Sequence, residues 1–222
     1  MTRVILVHGA IERQRGFDEV VSYLPGVDVV TYDRQGHGGR WKEGPASLEA
    51  DVDDLLDRLE GQSATVVGHS LGGLVALGAA LRRPKLCTSI GLYETAMPWA
   101  DWWTDDERAA MLAEVDRNLA AAAAAARSTD AVDSARLEVA WASCRRQVLD
   151  AFNAPYRWQD ATVPVSTGRG GTSDGYSARD ASLVAQQYGS EPSVLEGAGH
   201  RAHRSHPEAF AGFVASCISS TA

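Results

Sequence analysis

Short apolar runs alternate with amphipathic stretches along most of the 222-residue chain. Five runs are rich in β-branched residues, namely 3–7, 28–32, 64–68, 88–93 and 162–167, and 192–196 is a weaker sixth case. Short strands that are almost entirely apolar suit a parallel sheet covered on both faces. The pattern therefore predicts a mostly parallel sheet of about six strands.

Amphipathic stretches between these runs have helical spacing. In 47–60, apolar residues recur on one face, and Gly61 follows where a glycine often ends a helix. The stretches 176–188 and 207–218 show similar stripes, the latter with Pro207 at its start. Alternation of strands and helices predicts an α/β fold with helices on both faces of the sheet.

One region interrupts the alternation. Residues 95–159 contain no convincing strand, and Thr104 and Glu107 have the spacing of a capping box before an apolar-periodic stretch. We predict a helical cap insertion at approximately 95–159 within a single domain over 1–222. Its tryptophans either line a ligand cavity or fill a small core of the insertion; the candidates for substrate binding are Trp99, Trp102, Trp103 and Trp141.

Composition narrows the class of partner. The formal net charge is −8, so attraction to nucleic acid or to an anionic membrane surface is not expected. The sequence has no apolar run long enough to span a membrane and no signal-peptide pattern at its start, and its three cysteines form no CxxC pair. These features predict a soluble, cytoplasmic protein, and they leave its oligomeric state open.

Candidate chemistry centres on Gly68-His69-Ser70-Leu71-Gly72, which matches G-x-S-x-G between a predicted strand and a predicted helix. In this arrangement a sharp strand-to-helix turn exposes the serine hydroxyl, and glycine is needed on both sides because the turn is crowded. Serine can also serve as a plain helix N-cap. The strand before it and the helix after it favour a nucleophile.

A serine nucleophile needs a base, an acid that orients the base, and donors for the oxyanion. His200 is the best base, because it lies between the last predicted strand and the last helix. Asp174, after the fifth strand, is the favoured acid, and Glu94, after the fourth, is its rival. The backbone N–H groups of Ala10 and Leu71 are the expected oxyanion donors.

The histidines His200, His203 and His206 are spaced three apart, as metal ligands on one helical turn can be. Two arginines and a proline interrupt that stretch, and Glu208 is its only nearby carboxylate. We therefore expect neither a metal nor an organic cofactor.

Four pieces of the chain together resemble the α/β-hydrolase superfamily. They are the His8-Gly9 pair after the first strand, the Asp33–Gly38 loop, the Gly68–Gly73 turn, and Gly197–His200 with His203 and Pro207–Phe210. The resemblance implies an α/β-hydrolase fold and a Ser-Asp-His order of triad residues. Relatives that carry aspartate at the nucleophile position, the haloalkane dehalogenases and epoxide hydrolases, are excluded.

The triad and this resemblance imply a serine hydrolase that cleaves small or medium carboxylic esters through an acyl-enzyme. The same triad could instead cleave thioesters, lactones or carbon–carbon bonds. A different class, a ligand-binding member without catalysis, would also retain the fold. The expected partner is a small-molecule ester.

Overall fold

Six parallel strands form one sheet in the structure, a computed structural model that describes residues 2–128, 132–153 and 156–219. The strands are β1 (Arg3–Val7), β2 (Asp28–Thr31), β3 (Ala64–His69), β4 (Cys87–Tyr93), β5 (Val165–Gly170) and β6 (Ser193–Leu195). Their order across the sheet is β2-β1-β3-β4-β5-β6, and every pair is parallel. The predicted parallel sheet is confirmed, with each strand within a few residues of its predicted position.

Helices cover both faces of this sheet. They are α1 (Asp18–Ser22), α2 (Leu48–Arg58), α3 (Leu71–Arg82), α4 (Asp105–Ser128), α5 (Val132–Asn153), α6 (Tyr176–Gln187), α7 (Ala202–Ser205) and α8 (Pro207–Ser219). Buried side chains of α2, α3 and α6 form one apolar cluster, and those of α1 and α8 form a second cluster on the opposite face. Burial on both faces explains why the strands are almost wholly apolar.

Helix α2 shows how the sequence sets these boundaries. The Ser47 side chain accepts a hydrogen bond from the Ala50 N–H at 3.1 Å, as a helix N-cap does. The residues that share its apolar face, among them Val52 and Leu55, are fully buried. Gly61 has φ 74° just beyond the helix, a backbone conformation that glycine adopts without steric cost.

The order of the strands decides where a site can form. Strand β2 lies on one side of β1, and β3 lies on the other side. The chain therefore reverses its direction across the sheet at β1. The loops that follow the strands meet at the carboxyl edge of the sheet. Open α/β sheets bind their ligands in the crevice at this kind of switch point.

Helices α4 and α5, which lie between β4 and β5 in the chain, pack against each other. We call them the α4–α5 pair. They lie within the predicted helical insertion at 95–159. The division of the chain into a single domain over 1–222 with this insertion stays a prediction. Among the described residues, no helix is long and apolar enough to cross a membrane.

Candidate active site

Ser70 occupies a sharp turn between β3 and α3. Its backbone has φ 54° and ψ −124°, a strained conformation for a residue with a side chain. The Ser70 N–H donates to the Tyr93 carbonyl oxygen of the neighbouring strand β4 at 2.8 Å, which holds the turn against the sheet. The side chain is partly exposed and lines a cavity, so the turn presents its hydroxyl to a ligand.

The glycines of this turn are required by crowding. A Cβ at Gly68 would overlap the backbone of Gly72 and Gly73, and a Cβ at Gly72 would overlap the Val7 carbonyl oxygen of β1. Both clashes involve backbone atoms, which cannot rotate away as a flexible side chain can. The G-x-S-x-G spacing is therefore what allows α3 to start directly above β1 and β3.

His200 and Glu94 form a close pair across the same cavity. His200 Nδ1 donates to Glu94 Oε2 at 2.7 Å, while Glu94 Oε1 accepts from the Gly170 N–H at 2.8 Å. Glu94 is only 2% exposed. Burial by itself raises the pKa of Glu94, but hydrogen bonds from His200, Ser173 and Gly170 outweigh it and hold that pKa below its usual value.

This pair gives the proton of His200 a defined position. Because Nδ1 donates to a carboxylate, Nε2 is the ring nitrogen left to accept a proton. Ser70 and His200 both line the cavity, although no hydrogen bond joins their side chains in the described residues. Such contacts often tighten only when a substrate is bound.

The acid beside His200 differs from the one that the sequence favoured. Asp174 lies in the loop after β5, is exposed, and forms no hydrogen bond or ion pair with His200 in the described part of the chain. Glu94 follows β4 directly, and its N–H donates to the Gly168 carbonyl oxygen at 2.9 Å, which fixes it at the sheet edge. Asp174 instead forms part of the cavity wall.

The two expected oxyanion donors, Ala10 and Leu71, both lie in the wall of the cavity beside Ser70. Leu71 is the first residue of α3, so its N–H is among the first-turn groups that no helical carbonyl can reach. Ala10 follows Gly9 in the loop after β1, and the next residue, Ile11, has φ 61°. Their roles as donors stay a prediction.

A buried arginine supports the loop that carries Ala10. Arg34 is fully buried, and its guanidinium donates to the Gly9 carbonyl oxygen at 2.9 Å and to Gln147 Oε1 at 3.1 Å. Asp51 supplies the opposite charge, and accepts from Gln147 Nε2 at 2.7 Å. This network joins the loop after β1 to α2 and α5. No local sequence pattern indicates it, because its members are far apart in the chain.

A second buried network lies behind the nucleophile. Glu12 Oε2 accepts from the Gly9 N–H at 3.1 Å and from His69 Nδ1 at 2.9 Å. His69 Nε2 donates to the His200 carbonyl oxygen at 2.7 Å. Both ring nitrogens of His69 therefore face oxygen atoms, one of the Glu12 carboxylate and one of the backbone. The Glu12–His69 pair therefore joins three segments: the loop after β1, the turn at Ser70 and the loop that carries His200.

Replacing Glu12 with glutamine tests that connection. A glutamine amide is uncharged, so its oxygen at the Oε2 position would accept from Gly9 and His69 more weakly, and its NH2 would replace Oε1, the oxygen that faces His203 Nε2 and Arg201. We expect kcat to fall about tenfold and the free energy of unfolding to fall by about 1–3 kcal/mol, as for other unsatisfied buried groups. Urea unfolding and steady-state kinetics measure the two effects.

Arg201→Gln is the matched control for this prediction. The Arg201 guanidinium lies 3.8 Å from Glu12 Oε1, but its side chain is 60% exposed, so its loss should cost less than about 1 kcal/mol. Equal effects of the two substitutions would contradict a specific role for the buried hydrogen bonds.

The three histidines considered as metal ligands point in different directions. His200 contacts Glu94, His203 Nε2 lies 3.2 Å from Glu12 Oε1, and His206 Nδ1 lies 2.9 Å from Ser205 Oγ.

A different set, Glu12, His69 and His203, brings its ligand atoms within 4.8 Å of one another and is buried. Two of its contacts have the lengths of direct ionic or hydrogen-bonded pairs, 2.9 Å and 3.2 Å. We interpret the set as part of the network behind Ser70.

Two further histidines, His8 and His37, are buried near the loop after β1, and both are neutral. His8 Nε2 accepts from the Arg34 N–H at 3.1 Å, and His8 Nδ1 donates to the Gly9 carbonyl oxygen at 2.9 Å. Burial, followed by the charge of Arg34, lowers the pKa of His8 well below its usual value and lowers that of His37 to about 3. Protonation therefore favours the unfolded chain, in which the pKa is about 6.5.

His37→Gln isolates this pH dependence. The unfolded wild-type chain gains a proton at His37 as the pH falls through about 6.5, whereas the folded chain gains it only near pH 3. Between about pH 7 and pH 5, the wild type should lose about 2 kcal/mol of unfolding free energy relative to the variant. Urea unfolding at both pH values measures the difference. A constant difference would show that His37 titrates alike in both states.

The cavity beside Ser70 has a volume of about 620 Å³. One side is the sheet edge with the Ser70 and His200 loops, and the other is the α4–α5 pair. Its apolar wall includes Leu74, Met111, Val115, Trp141 and Val148.

Of the four tryptophans predicted to bind substrate, Trp141 lines this cavity, and the other three lie elsewhere. Trp103 is only 3% exposed and is part of the core. Trp99 and Trp102 line a separate, smaller cavity.

Asp180 explains the positions of the other tryptophans. This carboxylate is fully buried and accepts hydrogen bonds from the Met97 N–H at 2.6 Å, from Trp102 Nε1 at 2.9 Å and from Trp103 Nε1 at 2.7 Å. The burial of Asp180 is not evident from the sequence, because its donors lie far from it in the chain. Its position on α6 lets it hold the segment between β4 and α4.

The comparisons with known proteins agree with this fold. Residues 4–213 match the model of the alpha/beta hydrolase family, so the chain belongs to that family. The lipase LipV of Mycobacterium tuberculosis is 32% identical over 152 residues, which are 67% of this chain and 55% of that protein. The pimeloyl-[acyl-carrier protein] methyl ester esterase of Aromatoleum aromaticum is 40% identical over 94 residues, 42% of this chain and 37% of that protein.

A solved structure extends the likeness to the whole chain. The crystal structure of NosK from Streptomyces actuosus superposes with a TM-score of 0.77 at 24% identity, and the match covers 99% of this chain and 98% of that one. At this identity the likeness concerns the fold. The chain spans about half the length of LipV and less of the methyl ester esterase.

Proposed function

We propose that the chain is a serine hydrolase of the carboxylesterase type, which cleaves small or medium carboxylic esters through an acyl-enzyme. The observation that carries this proposal is the arrangement at the cavity: Ser70 on a strained turn, and His200 with its Nδ1 bonded to buried Glu94. Similarity to a lipase and to a methyl ester esterase supports ester chemistry.

In the proposed reaction, His200 Nε2 takes the Ser70 hydroxyl proton as Oγ attacks the ester carbonyl carbon. The N–H groups of Ala10 and Leu71 stabilise the oxyanion. His200 then gives the proton to the leaving alcohol, and an acyl group remains on Ser70. A water molecule, deprotonated by His200, attacks this acyl-enzyme, and His200 returns the proton to Ser70 Oγ as the carboxylic acid leaves. Glu94 orients the imidazole and stabilises its cation throughout.

The α4–α5 pair has the proposed role of a cap over this reaction. It supplies Met111, Val115, Trp141 and Val148 to the cavity wall, opposite the loops that carry Ser70 and His200. An apolar wall of this kind suits an acyl chain or an uncharged leaving group. It would also lower the amount of water around the reacting atoms, which strengthens the interactions of charged groups there.

Turnover and labelling test the proposal together. The protein is incubated with p-nitrophenyl acetate and p-nitrophenyl butyrate, and separately with a fluorophosphonate that reacts with activated serines. We expect release of p-nitrophenol and a phosphonyl group on the peptide that contains Ser70. If neither ester is cleaved and Ser70 is not labelled, a non-catalytic, ligand-binding role replaces the enzyme proposal.

A further inference from the structure

Apart from His200, the ionisable groups with a full charge in the cavity wall are carboxylates. Besides Glu94, which is paired with His200, the wall contains Glu114 from α4 and Asp174 from the loop after β5. Neither side chain forms a hydrogen bond or ion pair with a residue that the structure describes. Among the described residues that line the cavity, none is lysine or arginine.

The charge of Glu114 acts on other groups of the cavity wall. Burial is the main reason that the pKa values of Cys144 and Tyr176 are raised, and the negative charge of Glu114 raises both further, although at Cys144 the charge of Arg34 acts in the opposite direction. A negative group on a bound substrate would meet the same repulsion. The repulsion is stronger in a partly enclosed cavity than in open water, because the effective dielectric constant is lower.

We propose that this cavity selects esters with uncharged or cationic acyl groups, and that Glu114 and Asp174 discriminate against esters whose acyl group carries a carboxylate. This inference rests on the proposed ester hydrolase function. The two carboxylates lie on different elements of the cavity wall, one on the α4–α5 pair and one on the loop after β5. An acyl chain that extends from Ser70 into the cavity therefore enters a space whose wall carries both charges.

Three p-nitrophenyl esters of similar length test the selection: the pentanoate, the half-ester of glutaric acid, and the 4-(trimethylammonio)butanoate. All release p-nitrophenol, and the spontaneous release measured without enzyme is subtracted from each rate. In the wild type, we expect kcat/KM for the glutarate to be about tenfold or more below that for the pentanoate. The cationic ester should match or exceed the pentanoate.

The double substitution Glu114→Gln and Asp174→Asn removes both charges with little change in shape. We expect it to reduce the pentanoate-to-glutarate ratio of kcat/KM about fivefold or more. Glu191→Gln with Asp57→Asn is the matched control, because both residues are exposed, neither lines the cavity, and the change in net charge is identical. Circular dichroism verifies that each variant is folded.

Salt provides an independent measurement. Raising the ionic strength from about 0.01 M to about 1 M shortens the screening length from about 30 Å to about 3 Å. The wild-type preference for the pentanoate should shrink accordingly, and the double variant should respond much less.

The outcomes separate this inference from the function on which it rests. Equal wild-type rates for the three esters, or an equal change of the ratio in the control pair, would overturn the charge selection while leaving the esterase proposal intact. Absence of any turnover, together with no labelling of Ser70 by the fluorophosphonate, would overturn both.

Discussion

Replacement of Ser70 by alanine is expected to lower kcat for p-nitrophenyl butyrate by about 1000-fold or more, because the attacking oxygen is removed. The fold should persist. Alanine, like serine, has a Cβ, so the strained φ of 54° is neither relieved nor worsened. We expect the free energy of unfolding to change by less than about 0.5 kcal/mol, measured by urea denaturation.

Labelling makes this result specific to Ser70. The fluorophosphonate adduct on the peptide containing residue 70 should disappear in Ser70→Ala and remain in Ser22→Ala. Ser22 is an exposed serine whose hydroxyl donates to the Glu19 carbonyl oxygen, outside the cavity. Turnover that survives in Ser70→Ala at wild-type rates would show that another group attacks the ester.

The second large effect concerns the acid that orients His200. Glu94→Gln keeps the size of the side chain but removes the charge that stabilises the His200 cation. It also allows the amide NH2 to face His200 Nδ1, which favours the wrong tautomer. We expect kcat to fall by about 100- to 10,000-fold, as when the corresponding acid of a serine protease is replaced by its amide.

Asp174→Asn is the matched comparison, because Asp174 lines the same cavity but lies outside the hydrogen-bond network of His200. Its kcat for the neutral butyrate ester should stay within about threefold of the wild type. Steady-state kinetics of the two variants in parallel decide between the carboxylates. The reverse order of effects would restore Asp174 as the acid.

Much of this fold could be predicted from local patterns. Five of the six strands have β-branched runs bounded by glycine or polar residues, and α2 has both a serine cap and an apolar stripe. The turn at Ser70 was also predictable, because its glycines are required by contacts with neighbouring backbone. Each of these signals lies within a few residues of the element that it specifies.

The acid was harder to predict because it depends on distances between loops. Glu94 and Asp174 both follow strands that end at the same edge, and their chain positions do not tell which reaches His200. The decisive contact is the Gly170 N–H, which binds Glu94 Oε1 and directs its other oxygen to His200. The burial of Asp180 is hard to predict for a similar reason, since its donors come from residues about 80 positions earlier.

The contacts of Asp180 limit which α4–α5 pair from a relative could replace the one in this chain. The segment that enters α4 is held to α6 through three hydrogen bonds to one buried carboxylate. A chimera whose new segment lacks these donors would leave the buried carboxylate with the Arg179 guanidinium, at 3.4 Å, as its remaining partner, and each lost hydrogen bond would cost about 1–3 kcal/mol. A transplanted cap must therefore bring its own tryptophans at 102 and 103, or Asp180 must be replaced together with it.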